Sequence, residues 1–135
     1  DDFQPVMQWK SKIIQLKLTP KGKALSYSRK YFTQKESLIA TLPIGYADGL
    51  NRNLSNNMQV LIKGKFAPQV GNICMDMILI DVSKIPDVNL GEDVVIWGKQ
   101  GNKQISVEEL ADKSGTIPYE LFCNVSKRVP RIYQN

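Results

Sequence analysis

Residues 37–50, SLIATLPIGYADGL, contain the clearest fold signal in the sequence. The segment starts as an apolar run and changes at Gly45 to the glycine-flanked motif GYADG, which contains Tyr46. A short apolar run bounded by turn residues is typical of a buried β-strand. We therefore expect a strand that stops at a turn over residues 45–49, with the phenol of Tyr46 placed beside that turn.

Further strands are expected on both sides of this segment. In residues 11–20, SKIIQLKLTP, alternation predicts a half-buried strand with Ile14, Leu16 and Leu18 on its buried face. Residues 58–70, MQVLIKGKFAPQV, predict a hairpin with KGK at its tip. The remaining strands are predicted in CMDMILIDVS (74–83), DVVIWG (93–98) and KQIS (103–106). Such short strands predict a barrel or a sandwich, and we favour a mainly β, closed or partly closed β-barrel-like domain.

The pattern changes from strand to helix at Ser106. In residues 106–115, SVEELADKSG, Ser106 and Glu109 have the spacing of a capping box, and Gly115 supplies a stop. A second helical stretch is predicted in residues 118–128, PYELFCNVSKR. We therefore expect one domain over residues 1–135, with two short helices near its C-terminus.

Composition limits the class of protein. The 135 residues are 42% hydrophobic and 23% charged, which is typical of a globular domain. No run approaches the roughly 18 apolar residues of a membrane helix. The opening segment DDFQPVMQWK has neither the basic region nor the apolar core of a signal peptide. We therefore expect a cytoplasmic protein without a membrane partner.

The residue types restrict the available chemistry. There is no histidine, and Cys74 and Cys123 form no CxxC pair, so we expect no metal site and two reduced, buried thiols. The net charge of +5 suits an anionic partner, but the basic residues are scattered along the chain. A basic, nucleic-acid-binding β-barrel is therefore kept only as an alternative, and we expect no nucleic-acid partner.

Three motifs in order indicate a family: GYADG at residues 45–49, CMD at 74–76 and GTIPYE at 115–120. Over nearly its whole length the chain resembles the C-terminal domain of the pyridoxal-phosphate-dependent (fold-type III) alanine racemases. The resemblance implies a two-domain enzyme whose N-terminal (β/α) barrel holds pyridoxal 5'-phosphate on a lysine. Such a barrel needs roughly 250 residues. We therefore expect residues 1–8 to be the tail of the connection from a barrel that this chain lacks.

The resemblance also implies roles for individual residues. Racemisation removes a proton from one face of the α-carbon and returns one on the other face, so each face needs an acid/base group. By resemblance, the lysine serves one face and Tyr46 the other, while the Met75 backbone N–H binds the substrate carboxylate. Tyr119 is implied to donate a hydrogen bond to the cofactor phosphate. Ile117 and Asn72 are implied to line the substrate entryway.

The implied assembly is a head-to-tail homodimer that interconverts L- and D-alanine for peptidoglycan synthesis. Tyr46 and Met75 would act in the partner's site and Tyr119 in its own, so this fragment alone is expected to be inactive. Asn72 stands where many relatives carry an arginine, which leaves a serine or broad-specificity racemase as an alternative. A fused parent protein is also left open.

The residues by themselves leave two questions about Tyr46 open. A tyrosine beside a turn is commonly a packing residue, and only the motif favours a catalytic role. A phenol with a pKa of about 10 is a poor base at neutral pH unless a nearby positive charge stabilises the phenolate. Nothing in the sequence indicates which cation does this.

Overall fold

A computed structural model describes residues 8–25 and 31–115 of the chain. Within these ranges the chain is mainly β, as predicted. The strands are β1 (Trp9–Lys12), β2 (Gln15–Thr19), β3 (Ala24–Leu25), β4 (Tyr31–Phe32), β5 (Ser37–Leu42), β6 (Gln59–Ile62), β7 (Lys65–Val70), β8 (Ile78–Asp81), β9 (Asp93–Gln100) and β10 (Lys103–Ile105). One α-helix, α1 (Val107–Ser114), follows them, and two 3₁₀ turns cover Tyr46–Asp48 and Arg52–Leu54.

Eight of the strands form one antiparallel sheet in the order β1-β9-β6-β7-β8-β5-β2, with β10 also paired to β9. The two ends of this path, β1 and β2, are consecutive in the chain. Between them, Ile13 N donates to Glu92 O at 3.1 Å and Ile14 N donates to Thr41 O at 2.9 Å. This short connection links both ends of the sheet, but β1 and β2 do not pair with each other. In the described part of the chain the sheet is not closed, so "barrel-like" applies only loosely.

The predicted hairpin is confirmed as β6 and β7. Its two-residue turn consists of Lys63 and Gly64, with φ of 53° and 75°. Positive φ at both turn positions is the type I′ arrangement that matches the twist of paired strands. Gly64 N also donates to the Gln100 side chain at 2.8 Å, which ties the turn to β9.

The strand β2 is confirmed, but the prediction of its buried face is only partly right, because Leu16 packs against the core whereas Ile14 and Leu18 do not. Ile14 and Leu18 are 57% and 62% exposed, and Leu16 is only half-buried. Instead, Ile13 and Thr19 are buried. Alternation shows which side chains share a face of a strand, but it does not show how much of that face is covered by other elements.

The prediction of a single strand over residues 74–83 is also wrong in part. The strand β8 covers only Ile78–Asp81, and residues 74–77 form a loop that leads into it. Cys74 N donates to Met77 O at 3.1 Å, so the backbone turns back on itself. The CMD motif therefore lies on a loop rather than within an apolar strand.

The first predicted helix is confirmed as α1. The Ser106 hydroxyl accepts a hydrogen bond from Glu109 N at 3.1 Å, and Gly115 ends the helix with a φ of 77°. Asn53 Nδ2 donates to Ser114 O at 3.3 Å, which attaches the end of α1 to the second 3₁₀ turn. The second predicted helix, residues 118–128, lies outside the described residues.

The main hydrophobic core contains side chains from the sheet and from α1, and a second, small cluster consists of Leu25, Ile39 and Val70. The strands β5, β6, β8 and β9 supply most of the fully buried side chains of the main core. Trp9 and Trp97 meet edge to face, with ring centroids 5.0 Å apart, where β1 pairs with β9. None of the helices in the described ranges is long and apolar enough to cross a membrane.

Replacement of a central core residue should measure how far stability depends on this sheet. Leu61 of β6 is completely buried, and Leu61→Ala should lower the free energy of unfolding by about 2–5 kcal/mol through lost contacts and a cavity. Leu90 is 64% exposed, so Leu90→Ala should change the free energy of unfolding by no more than about 0.5 kcal/mol. Urea unfolding of both variants checks the difference, and equal losses would contradict the core assignment.

Candidate active site

Two loops that carry predicted site residues meet at the ends of two neighbouring strands. The strands β5 and β8 are antiparallel neighbours, and Leu42, the last residue of β5, pairs with Ile78, the first residue of β8. The segment leaving β5 and the segment entering β8 therefore lie side by side. Tyr46 is on the first segment and Met75 is on the second, so the register between two strands brings them together.

The Tyr46 turn is held together by its own motif. Gly45 N donates to Asp48 Oδ2 at 3.0 Å, and Asp48 N donates back to Gly45 O at 3.0 Å. Gly49, with a φ of 106°, closes the turn by donating to Tyr46 O at 3.1 Å. Asp48 is buried, whereas the Tyr46 side chain is 42% exposed. The motif GYADG therefore builds a rigid turn that presents the phenol at the surface.

Two backbone hydrogen bonds join the loops. Tyr46 N donates to Cys74 O at 2.9 Å, and Ala47 N donates to Met75 O at 2.9 Å. No described residue accepts a hydrogen bond from the N–H of Met75, whose side chain is 53% exposed. A backbone N–H without a partner among the described residues is a suitable donor for a small anionic group such as a carboxylate.

Gly45 allows the loops to approach this closely. A Cβ built on Gly45 would overlap Cys74 O and would lie 2.6 Å from both the carbonyl carbon and the carbonyl oxygen of Met75. Its backbone is extended, with a φ of −159°, so the requirement for glycine here is purely one of space. Gly49 is needed for its positive φ instead. The glycines on either side of Tyr46 therefore have different functions.

No sequence pattern indicated Arg52, which lies against Tyr46. Its guanidinium carbon is 5.2 Å from the centroid of the Tyr46 ring. Arg52 opens the second 3₁₀ turn, and only the way that turn folds back brings it over the phenol. A lone arginine in a polar loop has no local pattern that could have predicted this contact.

A polar network connects the end of this second turn to the strand end before Cys74. Gln69 is buried; its Oε1 accepts from Asn56 N at 2.8 Å and its Nε2 donates to Gly71 O at 2.9 Å. Asn56 Oδ1 accepts from Gly71 N at 2.6 Å, and Ser55 Oγ accepts from Ile73 N at 2.8 Å. These bonds attach the loop that follows Arg52 to the loop that contains Met75.

Cys74 is a poor candidate for nucleophile or base. Burial raises the pKa of its thiol above the ordinary value, the Asp76 carboxylate acts in the same direction, and Arg52 opposes them. A thiol with a raised pKa stays protonated at neutral pH. Cys74 is free and half-buried, and its Sγ donates to Asn72 O at 3.6 Å. Its contribution to this site is therefore its backbone carbonyl.

The structure brings together some of the predicted site residues. Tyr46 and Met75 are neighbours, and Asn72 is half-buried on the same loop as Met75. Tyr119 and Ile117 lie outside the described residues, as does Cys123. Within residues 8–25 and 31–115, no group of three or more His, Cys, Asp or Glu side chains could hold a metal ion.

Replacement of Gly45 should loosen the junction between the two loops. Gly45→Ala must displace the backbone of Cys74 and Met75, so we expect a loss of about 1–3 kcal/mol in unfolding free energy. Hydrogen exchange at the Tyr46 and Ala47 amides should accelerate, because both donate across the junction. Gly91→Ala is the control: it strains a turn with a φ of 82° but meets no atom within 4 Å. Unchanged exchange at both amides in Gly45→Ala would contradict this account.

Comparison with known proteins identifies the family. The sequence model of the family described as "Alanine racemase, C-terminal domain" matches residues 6–133. The chain is 51% identical to alanine racemase 2 of Caldanaerobacter subterraneus subsp. tengcongensis over 98% of its own length and 34% of that protein. It is 52% identical to the alanine racemase of Halothermothrix orenii, over 99% of the chain and 35% of that protein. The chain thus spans about a third of the length of these relatives.

Solved structures agree with the sequence comparison. The alanine racemase of Bacillus anthracis with bound L-Ala-P matches with a TM-score of 0.91 at 41% identity, covering 98% of this chain and 33% of that one. The alanine racemase of Streptomyces coelicolor also matches with a TM-score of 0.91, at 33% identity, over 98% of this chain and 34% of that one. The chain therefore belongs to the family of alanine racemase C-terminal domains.

Proposed function

We propose that this chain is the C-terminal domain of an enzyme that interconverts L- and D-alanine, with Tyr46 as the acid/base on one face of the substrate. The observation that carries the proposal is the junction of two loops by two backbone hydrogen bonds, where one loop carries the exposed Tyr46 and the other carries Met75, whose N–H has no partner among the described residues. Family membership and the identity to alanine racemases support it.

The chemistry of these groups suits an amino-acid substrate. The Met75 N–H would bind the substrate carboxylate, and this needs only the backbone, whatever the side chain. The deprotonated oxygen of Tyr46 would then take the α-proton from one face, and the resulting hydroxyl would return a proton to that face in the reverse direction. Pyridoxal 5'-phosphate, held by a lysine of an N-terminal barrel, would supply the electron sink that makes this proton acidic enough to remove. Tyr119 would donate a hydrogen bond to its phosphate.

The exposed side chains at the site support completion by another protein surface. Tyr46, Met75 and Met77 are 42%, 53% and 42% exposed, which leaves a partly apolar surface around the phenol. We propose that this surface enters the site of a second subunit in a head-to-tail homodimer. The rest of each subunit would be an N-terminal (β/α) barrel, with residues 1–8 as the connection to this domain.

Substrate choice is proposed to be alanine, supplying D-alanine for peptidoglycan in the cytoplasm. Asn72 and Ile117 would lie at the entryway, where Asn72 lacks the positive charge of many relatives. A serine or broad-specificity racemase is therefore the second candidate, and competing kinetics on alanine and serine with the complete enzyme separate the two. The nucleic-acid alternative rests only on the strand content and the net charge of +5.

Replacement of Tyr46 in the complete enzyme tests the proposed acid/base role. Tyr46→Phe removes the hydroxyl and should lower α-proton exchange into deuterated water from L-alanine by roughly 10²–10⁴-fold, while exchange from D-alanine partly survives. Tyr31 of β4 is the matched control, since Tyr31→Phe removes a hydroxyl from a residue outside the two loops. If both enantiomers exchange at the rates of the unmodified enzyme, the catalytic assignment of Tyr46 fails.

The isolated 135-residue chain provides a second test. Because the cofactor lysine is assigned to a barrel that the chain lacks, we expect neither racemisation nor the visible absorbance of bound cofactor when pyridoxal 5'-phosphate is added. Addition of the same cofactor to the complete enzyme is the positive control. Measurable racemase activity of the chain alone would overturn the assignment of that lysine.

A further inference from the structure

We propose that Arg52 is a positioning residue for Tyr46, whose guanidinium lies on the phenol ring and holds it in the orientation needed for proton transfer. The inference rests on the proposed acid/base role of Tyr46. Arg52 would act through the tyrosine rather than on the substrate. It lies outside the GYADG motif that contains the tyrosine.

The contact has the geometry of a cation–π interaction. The Arg52 guanidinium carbon is 5.2 Å from the ring centroid of Tyr46, inside the limit of about 6 Å for this interaction. No described residue forms a hydrogen bond with the Tyr46 hydroxyl, and 42% of the side chain is exposed. The backbone of Tyr46 is therefore fixed, whereas its ring depends on contacts such as that with Arg52.

The backbone of Arg52 is held in place independently of the ring. Asn51 Oδ1 accepts from Asn53 N at 2.8 Å, and Ser55 N donates to Arg52 O at 3.0 Å, which closes the second 3₁₀ turn. Leu54 anchors this turn in the core, where it is completely buried. The guanidinium thus projects from a fixed base toward a ring whose own backbone is also fixed.

Among the described residues, no acidic side chain forms an ion pair with Arg52. Within the described ranges, Arg52 forms no salt bridge, and ion pairs occur only between Lys12 and Asp93 and between Lys113 and Glu109. Asp76 is near enough to oppose Arg52 in its effect on Cys74, but it does not pair with the guanidinium. An unpaired cation over a ring retains its attraction for the π-electrons.

The chain contains a matched control for this contact. Lys103 lies over the ring of Phe66, with its Nζ 5.8 Å from the centroid. Lys103 is on β10 and Phe66 is on β7, away from the loops that carry Tyr46 and Met75. Removing the charge from Lys103 should therefore remove a similar interaction without affecting the site.

The test uses the complete enzyme and the variants Arg52→Gln, Arg52→Lys and Lys103→Gln. The measurement is α-proton exchange into deuterated water from L- and D-alanine separately, with KM and kcat in each direction. Arg52→Gln should slow exchange from L-alanine, the face assigned to Tyr46, by about two- to fivefold, which corresponds to the usual strength of such a contact. Exchange from D-alanine and both KM values should stay unchanged. Arg52→Lys should retain most of the rate, and Lys103→Gln should retain all of it.

Three results would overturn the inference. They are no effect of Arg52→Gln on exchange, an equal fall in α-proton exchange from both enantiomers, or loss of the dimer in size-exclusion chromatography. An equal fall or loss of the dimer would indicate a role in folding or assembly. Thermal unfolding of each variant shows whether folding is affected. Tyr46→Phe in the same series separates this inference from the proposed function. If Tyr46→Phe has no effect, the proposed function fails and the inference fails with it. If Tyr46→Phe abolishes exchange from L-alanine and Arg52→Gln changes nothing, only the inference fails.

Discussion

The candidate site depends on the close approach of two backbone segments. Tyr46 and Ala47 donate to the carbonyls of Cys74 and Met75, at 2.9 Å in both cases. A side chain at Gly45 would occupy the space that the second segment uses, so the missing Cβ is a condition for both bonds. The junction therefore makes Tyr46 and Met75 neighbouring residues through backbone contacts.

The register of the sheet determines where this junction lies. Since Leu42 pairs with Ile78, the last residue of β5 and the first residue of β8 lie side by side. The buried amide of Gln69 and the side chain of Asn56 then secure the neighbouring loop. Side-chain hydrogen bonds to buried backbone groups are costly to lose, so this network makes the loops rigid. Rigid loops suit a residue that must meet a substrate held by another protein surface.

The chemistry of the site follows from what this chain contains. It has no histidine, and the half-buried thiol of Cys74 has a raised pKa that keeps it protonated at neutral pH. Tyr46 is thus the exposed acid/base side chain of its turn, and the guanidinium carbon of Arg52 lies 5.2 Å from the centroid of its ring.

Local sequence patterns by themselves determined the strand content, the Lys63–Gly64 hairpin turn, the cap of α1 at Ser106 and the position of Tyr46 beside a turn. Each depends on the conformational preferences of a few consecutive residues, which a sequence displays directly. Only the tertiary structure decided that Ile14 and Leu18 face outward, that residues 74–77 leave the strand, and that Arg52 covers the ring of Tyr46. These features depend on contacts between segments far apart in the chain or on the path of a whole loop, and periodicity contains no information about either.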